Sequence, residues 1–321
     1  MFNINQSNDF ETLCLEIYNY QFEKNKIYNQ YCRLTNRTPD KIITYKDIPF
    51  LPIEFFKSHQ VICGQGESEQ IFSSSGTTGM IQSKHYVQDI GLYENSFLNA
   101  WEYFYSPVSN YVVLALLPAY LERKGSSLVY MAEKMIQESR NASSGFYLFN
   151  YEDLISKVNE LKASGKKILI LGVTFALLDL AEQYAPDLSD CIIMETGGMK
   201  GRRKEMIREE LHQQLCDAFK VSDIHSEYGM TELLSQAYSK GKGIFQTPPW
   251  MKILIRDVND PFSIEHSSRS GGVNVIDLAN LNSCSFIATQ DLGKIYPDQT
   301  FEVLGRFDNS DVRGCNLMVA D

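Results

Sequence analysis

From Tyr111 onward the chain alternates short apolar runs with longer amphipathic stretches, and few folds accept that alternation. Val112–Leu117, Lys167–Leu171 and Cys191–Met194 read as strands. Between and after them, Ser127–Ser139, Tyr151–Ser164, Thr174–Gln183 and Arg203–Phe219 carry apolar residues at helical spacing. Strands that are apolar on both faces must be covered on both faces, so the pattern predicts an α/β fold with a largely parallel sheet clad in helices. In such sheets sites form at the carboxyl ends of the strands, where the loop Glu195–Gly201 would emerge.

Residues 9–36 carry Phe10, Leu13, Cys14, Ile17, Tyr20, Ile27, Tyr31 and Leu34 near helical spacing, which predicts an N-terminal helical segment with Asp9 as its N-cap. Pro39, Pro49 and Pro52 interrupt it, and Thr44–Ser58 reads as an extended segment leading into a short helix. A further helix is expected over Leu92–Tyr105. Beyond Pro248 the runs Lys252–Ile255, Val273–Asp277, Ser285–Thr289 and Thr300–Leu304 predict short strands. The expected organisation is an α/β region over 1–247, with the helical segment at its start, and a smaller β-rich subdomain over 248–321.

No apolar run approaches the ~18 residues of a membrane span, and the N-terminus shows no secretory pattern, so the expectation is a cytoplasmic protein without a membrane span. A net charge of −10, with no basic stripe interleaved with aromatics, argues against a nucleic-acid partner. The seven cysteines are scattered without a C-x-x-C pair, which excludes a disulfide framework or a zinc knuckle as the organising feature.

Ser73-Ser74-Ser75-Gly76-Thr77-Thr78-Gly79 is a loop suited to phosphate. Hydroxyls and backbone N–H groups can surround an anion there, because the glycines let successive amides turn toward one centre. It is not a Walker A loop, since Met80 and Ile81 follow where that motif needs Lys and Ser or Thr. By composition alone the run would equally serve as a polar turn. No G-x-S-x-G elbow is present, so a serine-hydrolase reading fails.

Downstream lie Glu227-Tyr228-Gly229-Met230-Thr231-Glu232, Thr289-Gln290-Asp291-Leu292-Gly293 and Gly305-Arg306-Phe307-Asp308. Together with the loop, their order and spacing resemble those of adenylate-forming (ANL) enzymes. Glu195-Thr-Gly-Gly-Met-Lys-Gly201 and Arg313-Gly-Cys-Asn-Leu-Met318 narrow the resemblance to acyl-protein synthetases of the LuxE type, which belong to the fatty-acid reductase system of luminous bacteria. Phenylacetate–CoA ligases are more distantly similar. The resemblance spans about residues 50–318.

The resemblance implies the N-terminal-type fold of adenylate-forming enzymes without their mobile C-terminal domain. It implies ATP and Mg²⁺ as cofactors, and a carboxylic, fatty, acid as substrate. Ser73–Gly79 would wrap the β- and γ-phosphates, with Lys84 adding charge although it stands farther from the last glycine than the usual lysine. Tyr228, followed by Gly229, would lie against adenine, Thr231 would touch the α-phosphate and Glu232 would ligate Mg²⁺. Asp291 would accept from the ribose hydroxyls, Arg306 would reach the sugar or a phosphate, and Gly197 and Gly198 would form a backbone wall beside adenine. Cys315 would receive the acyl group as a thioester and pass it to a reductase, synthase or acyl-carrier partner, with Arg313 positioned to favour the thiolate. His85 and His225 could act as its base or stand as polar loop residues, the second being preferred. Release of the acyl group to a soluble thiol such as coenzyme A, or a non-catalytic nucleotide-binding role, stay open as alternatives.

Overall fold

The structure, a computed structural model, describes residues 2, 4, 7–74, 81–118, 125–162, 164–197, 206–265 and 269–307. The N-terminal segment is two helices, α1 (Ser7–Lys24) and α2 (Lys26–Leu34). Asn25 divides them because its side chain accepts from Tyr28 N at 3.0 Å and so starts a new helix. Asp9 accordingly lies in the first turn of α1 rather than at its cap. The proline-broken stretch then gives β1 (Leu51–Pro52) and α3 (Phe55–Ser58). A hairpin follows, β2 (Gln70–Ser73) against β3 (Lys84–Val87).

The alternating region forms as its periodicity predicts. Helix α4 (Ile90–Phe104) is capped by Asp89 and leads to β4 (Tyr111–Leu116). Next come α5 (Ser127–Ser139), capped by Ser126, then β5 (Gly145–Tyr147), α6 (Tyr151–Lys162) and β6 (Lys167–Val173). After these stand α7 (Thr174–Tyr184), β7 (Cys191–Thr196), α8 (Arg208–Phe219) and β8 (His225–Tyr228). The remaining strands are β9 (Ala237–Ser239), β10 (Phe245–Gln246), β11 (Met251–Arg256), β12 (Ser270–Asp277), β13 (Phe286–Ile295) and β14 (Phe301–Arg306).

Among the described residues the main sheet has the order β11-β12-β13-β14-β10-β9-β8-β7-β6-β4-β5, with β1 added parallel to β13. From β5 to β8 every pairing is parallel, and from β8 to β11 every pairing is antiparallel. The strands beyond Pro248 therefore hydrogen-bond into the same sheet as the α/β region. β8 is the seam. Period-2 alternation along it sorts the covering helices: His225 meets Tyr105, just past α4, whereas Ser226 faces Arg208 and His212 of α8.

The core is one cluster that runs from Phe10 and Tyr18 on α1 through β4 and β6 to Phe286 and Phe301. Helix α1 is locked to the C-terminal strands by buried amides. Gln21 Nε2 donates to Asn280 O (3.0 Å), Leu281 O (2.9 Å) and Ser285 Oγ (3.0 Å), while Ser285 N donates back to Gln21 Oε1 (3.0 Å). Asn25 Nδ2 reaches Ser283 O at 2.9 Å. Because Gln21 is wholly buried, Gln21→Leu strands a carbonyl pair and an amide in an apolar site. A loss of about 3 kcal/mol is expected, read as a lowered thermal midpoint of several degrees.

Candidate functional site

The hairpin β2–β3 presents the start of the phosphate-loop motif, Ser73 and Ser74. Ser73 N donates to Gly125 O (2.8 Å), Ser74 N to Ser83 O (3.0 Å), and Ser83 N returns to Ser74 Oγ (2.9 Å). Ser75, Gly76, Thr77, Thr78 and Gly79 lie outside the described residues. Lys84 pairs with Ser73 across the hairpin and is exposed.

Three motif residues far apart in sequence meet at the antiparallel half of the sheet. Tyr228 OH donates to Asp291 Oδ2 at 2.9 Å, and Arg306 Nε donates to Asp291 Oδ1 at 3.2 Å. The ladder sets this up, since Asp291 and Arg306 are partners in the β13–β14 register. Tyr228 itself packs edge-on to Phe245 and Phe301, and burial raises its phenol well above its ordinary value. The Arg306 side chain is 72% exposed, so its guanidinium keeps donors for a further anion. Arg256, which the sequence reading did not single out, lies beneath this group. Its guanidinium donates to Val273 O (2.8 Å), Asn274 Oδ1 (2.8 Å) and Thr289 O (2.6 Å).

Glu232 is 6% exposed. Desolvation raises its carboxyl, opposed by a hydrogen bond from Ser83 at the edge of the loop motif. It forms no salt bridge among the described residues, and no group of three or more His, Cys, Asp or Glu there could hold a metal. The charges of Arg306 and Lys57 also act to lower it, so this buried carboxylate stands in a positive surround and would suit a hard cation that takes its other ligands from phosphate and water.

The turn carrying Thr231 and Glu232 is held by side chains behind it. His85 is not a loop residue: it sits buried on β3, with Nδ1 2.9 Å from Thr231 O and Nε2 3.0 Å from Asn280 Oδ1. Burial lowers its imidazole to about 4. Asn280 Nδ2 donates to Glu232 O at 2.8 Å. Asp277 accepts from Leu234 N (2.7 Å), Ser235 N (2.9 Å), the Ser235 hydroxyl and Ala279 N (3.2 Å). His225 is engaged with Tyr105 OH at 2.9 Å.

At the carboxyl end of β7, Thr174 Oγ1 bridges Glu195 Oε2 (3.1 Å) and Gly197 O (2.7 Å), while Arg208 closes a 2.5 Å ion pair on Glu195 Oε1. Gly197, at φ +72°, takes a backbone conformation open to glycine. Gly198 lies outside the described residues. One strand over, the Thr196 hydroxyl donates to Glu227 Oε2. Glu227 is half-buried, and desolvation, reinforced by the nearby Glu195 charge, pushes its carboxyl up to about 7.

Cys315 also lies outside the described residues. The six described cysteines are free, and burial pushes the Cys14, Cys32 and Cys63 thiols up to about 12 and Cys191 to about 11. None of these four is poised as a nucleophile at neutral pH. A groove between α7 and α8, lined by Ile207, Gln213 and Ala218 among others, contains none of the motif residues.

Gln236, Arg256, Asp277 and Asn280 complete this region without being singled out in the sequence, while Glu227 enters there only as part of its motif and His85 as a base for Cys315 or a polar loop residue. Single polar residues on apolar strands carry no motif. The available signal was strand alternation, which places Glu227 on the face opposite Tyr228.

No protein-family model matches the chain, and no curated protein is similar to it in sequence. Solved structures do match. An open conformation of 2-hydroxyisobutyryl-CoA ligase in complex with 2-HIB-AMP and CoA aligns over 94% of this chain and 70% of its own, at 11% identity and a TM-score of 0.70. ATP-bound MatB from Rhodopseudomonas palustris aligns over 75% of this chain at 14% identity and a TM-score of 0.56. A luciferase-like enzyme from the nonluminescent mealworm Zophobas morio gives 77%, 16% and 0.51. At these identities the likenesses show a shared fold. The chain spans about half the length of the MatB structures that it matches.

Glu227 provides a pH test. Unfolded, its carboxyl titrates near 4.5; folded, near 7. Below pH 4.5 both states hold the proton, and between 4.5 and 7 the unfolded chain releases it first, so the native state loses stability as pH rises. The expected loss is about 1–3 kcal/mol, complete above pH 7. Thermal melts from pH 4 to 8 should show this slope in the wild type and a flatter one in Glu227→Gln.

Proposed function

We propose that this protein activates a carboxylic acid with Mg-ATP as acyl-AMP and then transfers the acyl group to the thiol of Cys315. The observation that carries the reading is the convergence of Tyr228, Asp291 and Arg306, which arrive on three strands, beside a turn whose Glu232 reaches Ser83 at the phosphate-loop motif. In these roles Asp291 would accept from ribose hydroxyls, as its neighbours Tyr228 and Arg306 fix both its oxygens. The backbone and hydroxyls of the Ser73–Gly79 motif would hold the departing pyrophosphate. Glu232 would hold Mg²⁺, which supplies charge neutralisation over the phosphates. His85, neutral when buried, has a single N–H to share between the Thr231 carbonyl and Asn280 Oδ1, and in this reading it positions the turn through whichever of the two it meets.

The first step forms a bond from a substrate carboxylate oxygen to the α-phosphorus and breaks the bond to pyrophosphate. In the second, the Cys315 thiolate attacks the acyl carbon and AMP leaves with the bonding pair. The resulting thioester keeps the acyl group reactive for a reductase, synthase or carrier. A soluble thiol is the second reading, favoured by the alignment of nearly the whole chain on a CoA ligase.

Intact-mass measurement after incubation with Mg-ATP and a panel of carboxylic acids tests the choice. A hydroxylamine-labile acyl mass is expected on the wild type and not on Cys315→Ser, with ATP–pyrophosphate exchange retained in both. Exchange without an adduct on the wild type would move the acceptor to a soluble thiol, and absence of exchange would reject adenylation.

A further inference from the structure

On the α4 side of β8 stands a polar group with no role in the reading above. Thr196, Glu227 and Tyr238 are register partners across β7, β8 and β9, so their side chains share one face of the sheet. Gln236, two residues before Tyr238, falls on the same face. It is 3% exposed, and its Oε1 is buried without a hydrogen-bond partner. Beside it, Gly229 is exposed. A Cβ added to Gly229 would collide with Glu227 Oε1 and come within 3.3 Å of Gln236 Cγ, so the carboxyl and the amide side chain flank the same bare patch of backbone. This patch lies at the carboxyl end of the last parallel strand, immediately before Thr231 and Glu232.

A buried carbonyl oxygen without a partner is costly unless a ligand completes it. Glu227 has one oxygen taken by Thr196, and the other turned toward Gly229. With its carboxyl pushed up to about 7, Glu227 is divided between its protonated and ionised forms at neutral pH, and the protonated form can donate as well as accept. Gln236 Oε1 adds a buried acceptor without a partner.

We propose that Glu227 and Gln236, steadied by Thr196, form the specificity surface for the substrate acid and select an acid whose chain carries a hydroxyl group. This rests on the adenylation reading and narrows its substrate. A hydroxyl both donates and accepts, so it satisfies a neutral carboxyl and an amide together. A saturated hydrocarbon chain would leave both polar groups unpaired, and sites built to pair a hydroxyl discriminate strongly against analogues that lack one. An ammonium group would draw Glu227 to its ionised form against the nearby Glu195 charge, a case that the β-alanine arm below distinguishes.

ATP–pyrophosphate exchange with matched acids provides the test: butyrate against 3-hydroxybutyrate, dodecanoate against 3-hydroxydodecanoate, and β-alanine as the ammonium arm. The wild type should favour the hydroxylated member at least tenfold in kcat/KM. Gln236→Leu should bring the ratio close to one while raising the thermal midpoint, a combination that a purely structural Gln236 would not give. Glu227→Gln, which still donates and accepts, should keep the preference, and Glu227→Leu should lose it. Exchange that favours the plain acids or β-alanine in the wild type would overturn the specificity assignment and leave adenylation standing. Exchange with no acid at all would overturn both.

Discussion

The site depends on one buried carboxylate. Asp277 ends β12 in the antiparallel half of the sheet, yet it accepts the backbone N–H groups of Leu234 and Ser235, which follow the turn from the last parallel strand. Without it two buried amides would lack partners, and each such loss costs more than the hydrogen bond gained when it is made. Ser235 extends the tie, since its hydroxyl meets Ser96 Oγ on α4 at 3.0 Å, and Ser96 Oγ in turn accepts from Trp250 Nε1 at 3.1 Å. One residue thus fixes the turn bearing Thr231 and Glu232 to both halves of the sheet and to a covering helix.

A second relay reaches the same turn from the N-terminus. Asn280 uses its backbone carbonyl for Gln21 of α1, its side-chain amide for Glu232 O and its side-chain oxygen for His85. Helix α1 is therefore coupled to the turn through one asparagine, and β3, which continues from the phosphate-loop hairpin, is coupled through His85. Networks of this kind gain from low local dielectric only when every member is satisfied. That requirement explains why so many polar residues around the turn are deeply buried and individually unremarkable in sequence.

Periodicity made the alternating half legible. The expected strands and helices between Tyr111 and Phe219 form within a few residues of their predicted bounds, because buried strands and amphipathic helices leave opposite signatures. The short strands after Pro248 were equally visible, but their places were not. β14 pairs with β10, more than fifty residues earlier in the chain, and pairing across such distances leaves no local trace. The motif residues were legible as a set because their order follows a known arrangement. Asp277, Asn280 and His85 were not, since a polar residue that satisfies a distant backbone group looks in sequence like any other polar residue. The helical segment predicted for 9–36 forms as two helices, divided at Asn25 for a related reason: its side chain competes with the helix that its neighbours favour.

The position of β8 gives a geometric reason for dividing the proposed chemistry as above. Along a strand successive side chains leave on opposite faces, so Tyr228 and Glu227 cannot serve the same surface. Tyr228 turns toward Asp291 and the aromatic pair Phe245 and Phe301, on the side of α8. Glu227 turns toward Thr196, on the side of α4. A nucleotide held on the first side and an acid on the second would meet only past the end of the strand, where Gly229 leaves the backbone bare and Thr231 follows. Exchange of Gly229 for any larger residue would collide with Glu227, so the same bare position that lets two reactants approach also lets the carboxyl reach the edge of the sheet.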